Sequence, residues 1–148
     1  MNIFTPFVVL SAERAEYDAA VNVARSHDLG RQLESRGLDF NPVRGSYLGI
    51  EEAGYLVLLD AGDASPEFDI LVRLAQRYDQ HSLLSVDANR VATFHYLGVF
   101  PSVPAISKSE RVGLWAHVTA EHAGELDGWT RDSRGYHYAI IGAQARTE

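Results

Sequence analysis

The apolar positions of this chain change period along its length, and the changes mark its elements. Phe7-Val8-Val9-Leu10 is a short continuous apolar run, the pattern of a buried strand. After it the spacing becomes helical: Ala15, Asp18, Asn22, Arg25, Leu29 and Leu33 fall on one arc at about 100° per residue. Ser11 is placed to cap this helix, Glu13 to sit in its first turn, and Gly37 to stop it after Arg36. Residues 40–48 and 54–60 read as strands joined by a turn over 49–53, and Tyr55-Leu56-Val57-Leu58-Leu59 has the near-continuous apolar character of a central strand. Ser65-Pro66 starts a second helix that carries Phe68, Leu71, Ala75 and Tyr78 at helical spacing.

Residues 82–86 and 91–100 form a hairpin across the turn residues Asp87-Ala88-Asn89-Arg90. A Pro-containing loop follows over 101–109. Strands at 114–119 and 136–141 flank a Gly-, Asp- and Arg-rich excursion over 123–135 that holds Trp129. The order predicts one α+β domain over 1–148. Its sheet is mostly antiparallel with two helices on one face, in ferredoxin-like βαββαβ order with added C-terminal strands.

The first helix has a peculiarity that bears on function. Leu29 and Leu33 must face the core, and Asn22 and Arg25 continue their stripe toward the helix start. They should be partly buried, and buried polar groups need partners. One reading closes them into a structural network. The other gathers Ser11, Arg14, Asn22 and Arg25 with Arg44, Tyr47 and Glu52 of the 44–52 hairpin into a polar pocket suited to an anion. Glu51 and Glu52 are adjacent, so in a strand they point to opposite faces and do not act as a pair.

Composition narrows the classes. The formal net charge is −7, which disfavours binding to free nucleic acid. Lys108 is the sole lysine among thirteen basic residues, so any lysine-dependent chemistry must use it. There is no cysteine, which excludes disulfides and thiolate sites. No cofactor fingerprint and no metal-ligand set is visible. His117 and His122 are five apart rather than at the helical zinc spacing. His117-Val118-Thr119 is half of a two-histidine phosphoesterase motif whose second copy is missing. No membrane-length apolar run and no signal-peptide pattern is present, so a cytoplasmic location is expected, the host cytoplasm for a phage-encoded chain.

The pieces Leu10-Ser11-Ala12-Glu13-Arg14, Asn22, Arg25, Pro42-Val43-x-Gly45-x-Tyr47-x-Gly49-x-x-Glu52-x-x-Tyr55-Leu56-Val57 and Tyr78-x-Gln80-x-Ser82-Leu83-Leu84 resemble a family of short bacterial and bacteriophage proteins classed as a domain of unknown function. The resemblance covers residues 9–96 and implies no assigned activity. The leading expectation is a non-enzymatic binding module holding a small anionic ligand or a protein partner, without a cofactor, at the helix start and the 44–52 hairpin. Two alternatives stand beside it. One is a phage or mobile-element inhibitor that binds a host defence protein through an acidic surface. The other is a small hydrolase or phosphoesterase using Glu52 and a histidine.

Overall fold

The computed structural model describes residues 4–142. In chain order the elements are β1 (Phe7–Leu10), α1 (Ala19–Ser35), β2 (Phe40–Tyr47), β3 (Ile50–Leu58), α2 (Pro66–Arg77), β4 (Ser82–Val86), β5 (Val91–Leu97), β6 (Ile106–Val118), α3 (Ala120–Ala123), β7 (Gly128–Asp132) and β8 (His137–Ile141). Every strand pairs antiparallel with both neighbours, in the cyclic order β1-β3-β2-β7-β8-β6-β5-β4. The fold is therefore a closed eight-stranded barrel, and the expected ferredoxin-like α+β sheet is overturned.

Closure depends on a strand within the stretch expected to be an excursion. β7 pairs with β2 from Val43↔Asp132 to Tyr47↔Gly128, and with β8 at Thr130↔Tyr138. It thereby takes the edge of β2 that an open sheet would leave free. β5 takes the edge of β4 in the same way, from Ser82↔Tyr96 to Val86↔Ala92. Closure leaves neither β2 nor β4 as the edge of an open sheet.

Strand alternation sorts the apolar residues into two cores. Phe7, Leu84, Val86, Ala92, Val112 and Trp115 pack inside the barrel, with Leu56, Tyr138 and Ile140 against them. Val8, Leu10, Val57, Leu59 and Leu83 point outward and are covered by Leu29 and Leu33 of α1 and by Phe68, Leu71 and Ala75 of α2. Leu29 and Leu33 are fully buried, each contributing about 1.5–3 kcal/mol by leaving water.

Three expected boundaries move, each for a local reason. α1 starts at Ala19, not after Ser11, because Asp18 is its N-cap and accepts from the Val21 amide at 2.9 Å. The β2–β3 turn is only Leu48-Gly49. Both have positive φ (52° and 83°), the two-residue turn that matches strand twist. Residues 50–53 accordingly belong to a strand rather than a turn, so Glu51 and Glu52 sit on opposite faces. β6 begins at Ile106, inside the stretch expected to be a loop. No helix among the described residues is long and apolar enough to cross a membrane.

Candidate active site

At one end of the barrel, β1 runs out at Leu10 beside Tyr55 of β3, and the next residues leave the sheet as an extended loop. Ser11, the first of them, is buried. Its hydroxyl donates to the Ala53 carbonyl at 2.6 Å and accepts from the Glu13 amide at 3.0 Å. Glu13 turns back to β3, its Oε1 accepting from the Ala53 amide at 2.9 Å. Gln80 holds the same loop by donating to the Glu13 carbonyl at 3.0 Å. The backbone of Ala53 is thus clamped on both sides by this loop.

Glu52 precedes that clamp and shares the barrel-interior face of β3 with Gly54 and Leu56. Burial pushes its carboxyl above the ordinary glutamate range. The nearby charge of Glu13 pushes the same way, and the Ser11 hydroxyl opposes both. No arginine, lysine or histidine pairs with Glu52 among the described residues. Gly54, next on this face, permits the approach of β1: a Cβ there would lie 2.8 Å from the Leu10 carbonyl oxygen.

The residues expected in an anion pocket separate in the structure. Asn22 and Arg25 close on the loop. Asn22 accepts from the Arg14 amide at 3.0 Å and donates to the Arg14 carbonyl at 2.9 Å. Arg25 donates to the carbonyls of Ala12 and Tyr78 and lies between the rings of Tyr17 and Tyr78, at 4.9 and 5.5 Å from their centroids. The Arg14 guanidinium is held by Glu16 and by the Asp79 carbonyl. Arg44 is on the outer face of β2, paired with Glu51 at 3.0 Å. Tyr47 is 66% exposed at the hairpin tip. Of the seven residues, Asn22 meets the Arg14 backbone, and Ser11 and Glu52 come together at a separate point. Glu13 joins them, and sequence reasoning missed it by placing it in a helical first turn.

This arrangement suits a cation, not an anion. Two neighbouring carboxylates, one of them desolvated, lower their shared free energy by taking up positive charge. The hydrolase expectation finds no support in it, since no histidine bonds Glu52 among the described residues. His95 lies under α2, its Nε2 bonded to Ser85 and its Nδ1 to Ser109, each at 2.8 Å. His117 packs on Tyr136 and Tyr138, and His137 on Trp129. No group of three or more potential metal ligands is gathered among the described residues.

The model of the S-adenosylmethionine lyase family matches residues 8–141. No curated protein sequence matches the chain. The family match extends the resemblance read over 9–96 through the last third of the chain, and it replaces the expected unknown-function family with one named for an enzyme. The non-enzymatic binding module is thereby overturned, and neither alternative reading fits better. Matched from the second residue of β1 to the last of β8, the chain belongs to the S-adenosylmethionine lyase family.

Proposed function

We propose that this protein cleaves a carbon–sulfur bond of S-adenosylmethionine without adding water, and that the reaction is centred on Glu52, with Glu13 and Ser11 beside it. The observation that carries this reading is a half-buried carboxylate next to a second carboxylate, with no arginine, lysine or histidine paired to either among the described residues. S-adenosylmethionine brings two positive charges, the sulfonium and the α-ammonium, and either one satisfies that site.

A lyase must find its electrons within the substrate. Two routes exist on the amino-acid arm. In one, the substrate's own α-carboxylate attacks the carbon bonded to sulfur. A C–O bond forms, the C–S bond breaks, and its electron pair leaves on a neutral thioether, giving a five-membered lactone. In the other, a base removes a proton from the carbon β to sulfur, leaving an alkene and the same thioether. The first route needs orientation more than basicity, because both reacting groups are in one molecule. A carboxylate pair that grips the cationic centres and leaves the α-carboxylate free provides that orientation. We assign the lactone route on this ground.

The test is the four-carbon product formed from substrate fully deuterated on the amino-acid arm. Lactone formation retains every deuterium, whereas elimination loses one. Loss of a deuterium refutes the route. Absence of any thioether product refutes the proposed activity.

A further inference from the structure

Glu13 lies in the extended loop between β1 and α1, so neither helix nor strand sets its side chain. Its position depends on the two peptide planes beside it, and each plane is held at both ends. In the plane between Ala12 and Glu13, the amide donates to the Ser11 hydroxyl at 3.0 Å and the carbonyl accepts from Arg25 at 2.6 Å. In the plane between Glu13 and Arg14, the amide donates to Asn22 Oδ1 at 3.0 Å and the carbonyl accepts from Gln80 at 3.0 Å.

The four holds are not equivalent. Ser11 belongs to the loop itself, and Asn22 and Arg25 to α1, which continues it. Gln80 comes from elsewhere in the chain, 67 residues beyond Glu13. Its own position is firmly set. Asp79 takes a φ of 59°, and the Asp79 and Gln80 amides bond the Gln76 and Ala75 carbonyls, which closes the C-terminal turn of α2. Two residues later the chain enters β4, the neighbour of β1. A half-buried amide on this anchored turn thus ties the Glu13 carbonyl to the barrel. The first plane has a further anchor in the Ala12 side chain, fully buried in the outer core. The second relies on Asn22 and Gln80.

We infer that Gln80 is a positioning residue: by holding the Glu13 carbonyl it fixes where the Glu13 carboxylate stands relative to Glu52. The inference rests on the reading that these two carboxylates form the reaction site. Losing the donor leaves both charges in place, so attraction for a cationic substrate survives while its orientation suffers. Gln80 therefore acts on turnover more than on binding. The Glu13 charge is also, after burial, a cause of the raised Glu52 carboxyl. If Glu13 swings away, that part of the rise goes with it.

Gln80→Met keeps the length of the side chain and removes the donor. Gln80→Asn keeps an amide that is one carbon too short, and serves if the first variant does not fold. In either, kcat for S-adenosylmethionine cleavage should fall about tenfold with KM changed by less than about twofold. Carbon-detected NMR should show the Glu52 carboxyl titrating below its value in the parent. In a Glu13→Gln background the same substitution should leave the Glu52 titration unmoved, since the charge being positioned is gone. The inference is overturned by an unchanged kcat, by a loss carried wholly in KM, by an unmoved Glu52 titration, or by one that moves equally in the Glu13→Gln background. A parent that cleaves nothing refutes the proposed activity instead, and the Glu52 titration then decides the role of Gln80 by itself.

Discussion

Glu52→Gln separates the cost of the proposed site to the fold from its use in chemistry. The substitution keeps the shape of the side chain and removes one charge. In the parent, burial and the Glu13 charge raise the Glu52 carboxyl, so its ionised form is less favourable in the folded protein than in the unfolded chain. The stability Glu52 contributes is therefore full at low pH, where it is protonated in both states, and is lost as pH rises through its raised value. The variant should match the parent in acid and become the more stable of the two toward neutral pH. Glu52 is half-buried rather than enclosed, so solvent screening limits the gain to about 0.5–1 kcal/mol. For a chain of this size that is a melting-temperature rise of about 1–4 °C. Cleavage of S-adenosylmethionine should fall by about 10²–10³-fold, the scale on which losing one preorganised electrostatic group acts. Thermal melts across pH and a chromatographic assay of thioether release measure the two effects on one sample. A variant that melts below the parent at neutral pH, or that cleaves as fast as it does, refutes the reasoning.

Parent cleavage should decline in acid along a limb set by the raised Glu52 carboxyl; a limb at the ordinary glutamate value would point to another group. Arg25→Met removes the donors to the Ala12 and Tyr78 carbonyls and should destabilise by about 1–3 kcal/mol in urea titrations, with surviving folded enzyme still active; a stable but inactive variant would return Arg25 to the site. Gly54→Ala places a Cβ against the Leu10 carbonyl and should cost about 1–3 kcal/mol of stability while reducing cleavage in the remaining folded fraction, because Leu10 leads directly into Ser11; unchanged cleavage in that fraction would detach Ser11 from the site. Burial lowers the His95 pKa, so the unfolded chain takes up a proton there more readily than the fold. Stability should drop as pH falls below about 6.5, and His95→Gln should flatten that dependence in denaturation curves.

Elements whose apolar period is unambiguous could be read from the residues alone. Phe7–Leu10, Ser82–Val86 and the Pro66 start of α2 are examples, because a buried run or a proline at the first helical position leaves few alternatives. Barrel closure could not be read this way. It depends on Gly128–Asp132, whose five residues are all half-exposed and include a glycine, an arginine and an aspartate. Nothing in that composition announces a strand; its pairing with β2 and β8 makes it one. Residue preference alone does not fix the start of α1, because Ser11 and Asp18 are both good caps. The choice falls to Asp18 since Ser11 is held by the Ala53 carbonyl, forty-two residues away. That long-range bond also takes Glu13 out of the helix and lets its side chain reach the Ala53 amide of β3.

The contrast between Glu16 and Glu52 shows how the chain keeps its acidic end open. Arg14 pairs with Glu16 at 2.7 Å and lowers its carboxyl, although Glu16 is exposed and gains little from the pairing. Arg25 runs beneath the same loop, yet its guanidinium ends on two backbone carbonyls. Neither guanidinium bonds Glu13 or Glu52 among the described residues. Both are instead fixed elsewhere, by ring stacking in one case and a carboxylate in the other. Basic residues are therefore near the site and withheld from it. A purely structural network would place its cations where desolvation is worst. Leaving that position without an internal cation among the described residues is what the proposed binding of an external one requires, and S-adenosylmethionine, the compound for which the family is named, carries positive charge at two centres.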